Sequence, residues 1–238
     1  MSRLNQHIVH IWHTKFEDHA KKYKYFQSWL SPEEKIRAGK LAISWRQRFI
    51  IARAVLRDIL AYYSEQYPQK LKLIYSASGK PSLSNSEQRL EFNLSHSKNI
   101  LAYVFTLDTP IGIDIEYINY RRHLDKIAYR FLPAYEYDRL QLVDHKKKLK
   151  EFFEAWVRNE ALIKAKGASL QTHPHSRYKL DLDSHLDPLK WTKKEINSLY
   201  TISNLSLYPD FTTAVALKGN EKPIVIKKYT KRLSRLNN

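Results

Sequence analysis

The hydrophobic pattern changes period several times along the chain. Residues 7–12 (HIVHIW) alternate with the two-residue period of a strand. Ser31-Pro32-Glu33-Glu34 then offers a serine N-cap, a proline at the first helical position and a glutamate three residues after the cap, which predicts a helix start. Over residues 45–63 the apolar positions Trp45, Phe49, Ala52, Leu56, Ile59 and Tyr63 recur every three or four residues, so a long amphipathic helix is expected. Arg46, Arg53 and Arg57 share another face of it and read as a basic stripe. A loop around 76–81 precedes apolar strands at 100–105 (ILAYVF) and 111–115 (IGIDI). Residues 131–136 echo the proline-led segment 29–34. A second long helix is expected over 152–166, and a late strand over 212–217 (TTAVAL). The order strand, proline-led helix, long helix, strand thus occurs twice, which suggests an internal duplication with its midpoint near residues 108–110.

A chain of 238 residues can bury a core without covalent staples, and with no cysteine it has no disulfide, thiol nucleophile or cysteine zinc site. Neither a membrane span nor a signal-peptide stretch is visible, so a cytoplasmic protein is expected. The 41 Lys and Arg outnumber 24 Asp and Glu, a net charge of +17, so the surface should attract polyanions: nucleic acid, anionic membrane, nucleotide cofactors or acidic proteins. Only 5 glycines are present, which argues against a glycine-rich phosphate cradle.

Candidate chemistry gathers at a few segments. In Ile111-Gly112-Ile113-Asp114-Ile115-Glu116 the isoleucines point to one face of a strand, and Asp114 and Glu116 point together to the other. By itself such a pair is compatible with an ordinary exposed strand face; without His or Cys, it also suits a hard ion such as Mg²⁺. In the segment 156–167 (WVRNEALIKAKG), Trp156, Glu160 and Lys164 are spaced by four along one helical face, and Gly167 is placed to end the helix. Glu160 could be a third carboxylate for an ion and Lys164 a cation for phosphate, or the two form a plain surface pair. Gly79-Lys80-Pro81 presents a lysine in a turn, and Ser95 with His96, just before a strand, offers short donors to phosphate oxygens. His7, His10 and His13 have no spacing that suits a metal site.

The ordered set SPEEKIR, GKP, FNLSHS, IGIDIE and W-x-x-x-E-A-x-x-K-x-x-G, spanning residues 31–170, resembles the 4′-phosphopantetheinyl transferases, in particular the larger two-half type. The resemblance implies an α+β fold of two similar α/β halves related by a pseudo-twofold axis. These would be 1–108 and 109–238, the second carrying the metal-binding acids, with the active site in the cleft between them. It implies transfer of the phosphopantetheine arm of coenzyme A to a serine of an acyl or peptidyl carrier protein, with Mg²⁺, releasing adenosine 3′,5′-bisphosphate. Asp114, Glu116 and Glu160 would hold the metal. Arg37, Lys80, Ser95 and His96 would contact coenzyme A phosphates, and Lys164 would approach the pyrophosphate. Glu160, directly or through a water, would take the proton of the attacking serine. Asn159 stands where the family usually has Lys; Asn159→Lys is expected to leave metal binding unchanged and to alter turnover or the KM for coenzyme A. The +17 charge would steer both coenzyme A and an acidic carrier.

Two other readings follow from the same residues. The arginine stripe with 16 Tyr and 5 Trp suits a nucleic-acid-binding protein, although three carboxylates in a basic cleft would repel a phosphate backbone. Asn159 would fit a catalytically inert relative that binds carriers. The transferase reading leads to a monomer acting on a carrier protein, with neither a nucleic acid nor a membrane as partner.

Overall fold

The computed structural model describes residues 4–84, 89–168 and 200–230. In chain order the elements are β1 (Val9–Lys15), α1 (Tyr23–Gln27), α2 (Pro32–Gly39), α3 (Ile43–Ser64), β2 (Leu73–Tyr75), β3 (Pro81–Leu83), β4 (Leu90–Ser97), β5 (Ile100–Leu107), β6 (Ile111–Tyr117), α4 (Leu124–Phe131), α5 (Ala134–Gln141), α6 (His145–Ala165), β7 (Tyr200–Leu205), β8 (Phe211–Lys218) and β9 (Ile224–Lys228). The fold is mixed α+β. One sheet has the order β4-β5-β1-β9, a second β6-β8-β7, and β2-β3 form a separate hairpin.

Local chemistry explains where the helices begin and end. Ser31 Oγ accepts from Glu34 N (3.3 Å) and the Glu34 carboxylate accepts from Ser31 N (3.0 Å), so the expected start of α2 is a reciprocal capping box. Asp144 caps α6 by accepting from Lys146 N at 2.9 Å, and the helix begins at His145, seven residues before the expected start. Gly167 ends α6 in the left-handed conformation (φ +72°). β5 is buried along nearly its whole length, as a run of branched and aromatic residues in a central strand should be.

Helix α3 packs Ile50, Val55, Leu56, Ile59 and Leu60 onto the first sheet, meeting Trp12, Phe92, Tyr103 and Phe105. The sequence puts Trp45 on this apolar face, but Trp45 is exposed at the first turn. The arginine stripe is not a surface feature either. Arg46 donates to the carbonyls of Ala38, Gly39 and Leu41 at the end of α2, Arg53 is buried, and Arg57 is fully buried with Nε on Glu34 (2.8 Å) and Nη1 on the Pro68 and Leu71 carbonyls. A guanidinium so enclosed cannot face a phosphate backbone.

The two sheets meet where β4 lies beside β6. No backbone ladder joins them in the described residues; side chains of β4 do so instead. Asn93 Oδ1 accepts from Ile113 N (3.1 Å), Ser95 Oγ donates to Asp114 Oδ1 (2.6 Å), and Ser97 Oγ accepts from Tyr117 N (3.1 Å). The chain also crosses back at its end, because β9 pairs in parallel with β1, and Tyr229 is buried with its hydroxyl on Asp58 (3.0 Å). The later part of the basic segment 227–235 lies outside the described residues.

Candidate active site

Strand alternation turns Ile111, Ile113 and Ile115 into the core, and Gly112, Asp114 and Glu116 toward α6. The helix comes very close there. A Cβ at Gly112 would lie 2.1 Å from Ala161 O and 2.5 Å from Ala165 N, so only glycine lets α6 lie this near the strand. This contact sets Glu160 and Lys164, one turn apart on α6, over the two strand acids.

Lys164 Nζ donates to Asp114 Oδ1 (2.7 Å), to Ser95 Oγ (3.1 Å) and to the Ile113 carbonyl (3.3 Å). Ser95 passes its own hydrogen to the same Asp114 oxygen. The other oxygen, Oδ2, is buried and has no partner among the described residues. Burial pushes Glu160 up to about 7; Lys164 opposes this, and the charges of Asp114 and Glu116 reinforce it. Glu116 is likewise raised, first by burial and then by Asp114, against the hydrogen bond from Ser97 and the charges of Arg121 and Lys164. The three carboxylates therefore share one field, in which Asp114 opposes ionisation of Glu116, and both oppose ionisation of Glu160.

As they stand, no three His, Asp or Glu side chains among the described residues are gathered into a ready metal site. The donor set nevertheless fits a hard divalent cation. It consists of carboxylates without sulfur or imidazole, it includes an orphaned buried oxygen on Asp114, and its mutual repulsion is what a cation relieves.

The expected phosphate-binding residues divide. Ser95 and His96 come just before β5, as expected, and themselves lie on a further strand, β4. The imidazole of His96 is held below its ordinary value by desolvation and by the positive charges of Lys164 and Arg48. Arg48, on α3, was not singled out by sequence reasoning. It donates to the Lys98 carbonyl and stacks 4.7 Å from the Phe16 ring centroid; its nearness to His96 depends on tertiary packing, which sequence spacing does not encode. Lys80 turns inward: its ammonium donates to the Ile111 and Lys164 carbonyls at 3.1 Å each, tying the β2–β3 hairpin to β6 and α6, and burial lowers its pKa. A cavity of about 230 Å³ opens beside it, lined in part by Ser76, Pro81, Glu91, Phe92 and Lys166. Arg37 stands apart, exposed on α2 with its guanidinium 5.5 Å from the Phe49 ring centroid.

Asn159 also has a defined task. Its amide donates to the Phe131 carbonyl (3.0 Å) at the end of α4, while Trp156 meets the Phe131 ring edge-on and Arg158 binds both oxygens of Glu136 on α5. Of the three histidines near the start, His10 and His13 are tied to Tyr63 and Tyr208 respectively.

Residues 110–216, which contain β6 and α6, match the family model of the 4′-phosphopantetheinyl transferase superfamily. Among individual proteins, the 4′-phosphopantetheinyl transferase HetI of Nostoc sp. is 32% identical over 217 residues, covering 89% of this chain and 88% of HetI. The 4′-phosphopantetheinyl transferase AcpT of Escherichia coli is 32% identical over 124 residues, 52% of this chain and 60% of AcpT. The 4′-phosphopantetheinyl transferase gsp of Aneurinibacillus migulanus is 33% identical over 113 residues, 47% of this chain and 46% of gsp. Similarity to HetI along most of both chains, together with the matched segment that bears the acids and Lys164, places this enzyme: the chain belongs to the 4′-phosphopantetheinyl transferase superfamily.

Proposed function

We propose that the protein transfers the 4′-phosphopantetheine arm of coenzyme A to a serine of an acidic acyl or peptidyl carrier protein, acting as a monomer in the cytoplasm. The observation that carries this reading is the shared field of Asp114, Glu116 and Glu160 beside Lys164 and His96. Asp114, Glu116 and Glu160 would hold Mg²⁺, which when bound neutralises charge on the pyrophosphate. The carrier serine oxygen attacks the phosphorus that bears pantetheine. A P–O bond forms there, the bond to the adenosine side breaks, and adenosine 3′,5′-bisphosphate leaves. Glu160, directly or through a water, takes the serine proton. Lys164, His96 and Arg48 offer donors to the phosphate oxygens, and the cavity beside Lys80 would receive the nucleoside end. Arg37 would have to be reached by an outlying phosphate.

The carrier reading is supported by the segment that leaves Glu116. It exposes Tyr120, Arg121, Arg122, Lys126, Tyr129 and Arg130, a basic and aromatic surface suited to an acidic partner. The two-half reading, with residues 1–108 and 109–238 flanking the cleft, is supported by a repeated helix clamp. Glu34 at the third position of α2 pairs with Arg57 of α3, and Glu136 at the third position of α5 pairs with Arg158 of α6.

The direct test is mass spectrometry of an apo carrier protein incubated with this protein, coenzyme A and Mg²⁺. The expected result is a gain of one phosphopantetheine arm that needs Mg²⁺ and is abolished by Glu160→Gln. No gain with fatty-acid, polyketide and peptide carriers alike would overturn the proposal.

A further inference from the structure

Ser97, the last residue of β4, was not among the residues singled out by motif, yet its hydroxyl occupies a defined place. It accepts from Tyr117 N (3.1 Å) and lies 2.8 Å from Glu116 Oε2. A serine hydroxyl has one hydrogen. With the oxygen accepting from the backbone, that hydrogen is directed to the carboxylate, and the hydroxyl thus fixes the orientation of an acid assigned to Mg²⁺.

The strand end that carries Ser97 is itself fixed. Lys98 adopts the left-handed conformation (φ 50°), a strained choice for a residue with a Cβ. Its carbonyl accepts from Arg48, and its ammonium lies 5.4 Å from the Tyr117 ring centroid. Asn99 accepts from Phe16 N (2.8 Å) and donates from Nδ2 to Glu17 (2.6 Å). The turn is therefore bound to α3, to β6 and to the segment after β1. Its rigidity reaches Glu116 through one side chain.

We infer that Ser97 is a positioning residue for the metal site: it holds the Glu116 carboxylate in place across the seam between the sheets. The inference rests on the proposed assignment of Asp114, Glu116 and Glu160 to Mg²⁺. Loss of a hydrogen bond to a metal-ligating group typically weakens metal affinity about 10- to 100-fold.

The test uses the full chain with coenzyme A and Mn²⁺ as the probe ion, free Mn²⁺ being counted by electron paramagnetic resonance. Ser97→Ala removes the hydroxyl, Ser97→Cys keeps the volume with a poor donor should the alanine variant fold badly, and Ser97→Thr restores the donor. Mn²⁺ affinity is expected to fall about tenfold in the first two and to stay within about threefold in the third. In the labelling assay the Mg²⁺ activation constant should rise by the same factor while the KM for coenzyme A stays put. Unchanged Mn²⁺ affinity in Ser97→Ala and Ser97→Cys would overturn the inference and leave the metal assignment standing. Absence of Mn²⁺ binding in the unaltered protein would overturn the metal assignment and this inference with it.

Discussion

Replacing Gly112 by alanine tests the geometry on which the candidate site depends. The added Cβ would sit 2.1 Å from Ala161 O, 2.5 Å from Ala165 N and 3.1 Å from Lys164 C, where ordinary contact begins at 3.4 Å. All three are backbone atoms of α6, so no side-chain rotation relieves the overlap, and the helix must retreat by roughly 1 Å from β6. Retreat loosens Val157, Ala161 and Ala165 against Ala214 and Ala216. The cost should lie at the upper end of the overpacking range, about 3 kcal/mol. That is a large part of a stability of ~5–15 kcal/mol. Retreat also carries Glu160 and Lys164 away from Asp114, and a misplacement of about 1 Å can reduce turnover ~100-fold. Gly39→Ala is the control: nothing lies within 4 Å of its Cβ, and its φ is one that alanine accepts. Urea unfolding and carrier labelling of the two variants measure both effects. A Gly112→Ala protein with the urea midpoint and turnover of the unaltered chain would refute the argument that this close approach builds the site.

Glu160 holds its proton up to about pH 7 in the folded protein, whereas the unfolded chain releases it near 4.5. The stability it contributes is thus full below pH 4.5 and is lost as pH rises through 7, so without Mg²⁺ Glu160→Gln should be more stable at pH 8 by about 1–3 kcal/mol; thermal melts with and without Mg²⁺ check this, and only the unaltered protein should gain from the ion. His10 behaves oppositely. Burial and Lys227 lower it to about 4 from 6.5, so its contribution is full above pH 6.5 and is lost toward pH 4, up to about 3 kcal/mol, and His10→Gln should flatten that part of a pH–stability curve. Asn159→Ala removes the side-chain hydrogen bond to the Phe131 carbonyl and should raise the KM for the carrier severalfold with little change for coenzyme A; steady-state kinetics in each substrate decide, and an effect confined to coenzyme A would contradict the positional role. Glu34→Ala leaves Arg57 charged and enclosed, and should cost about 3–5 kcal/mol in urea unfolding.

What could be read from the sequence was what depends on near neighbours. The capping box at Ser31 and Glu34, the alternation of IGIDIE and the four-residue spacing of Glu160 and Lys164 each involve residues a few positions apart, and the structure shows all three. β4 was obscured because Asn93, Ser95 and Ser97 are polar, and polar residues in a strand suggest a solvent face. Here they face β6 and substitute for a missing ladder. Arg57 seemed part of an exposed stripe because its partner, Glu34, is 23 positions away and its carbonyl acceptors lie in a loop. The inward turn of Lys80 and the pairing of β9 with β1 likewise depend on contacts between distant segments, which periodicity does not encode.

The charges of this protein divide by what surrounds them. Glu34 with Arg57, and Glu136 with Arg158, lock a short helix onto a long one, and in each pair the carboxylate is nearly inaccessible and both its oxygens accept hydrogen bonds: Glu34 from Arg57, Ser31 N and the Tyr75 hydroxyl, Glu136 from Arg158. Such pairs have no capacity left for a ligand. At the seam between the sheets the balance is different: three acids face a lysine that is already shared with Ser95 and a carbonyl, and an oxygen of Asp114 has no donor among the described residues. Buried polar atoms in folded proteins are normally satisfied, and an unmatched oxygen within a surplus of negative charge supports the proposal that a cation binds here. That surplus lies at a point reached by both sheets and by α6, a geometry that suits the proposed holding of a polyphosphate while a carrier protein presents its serine.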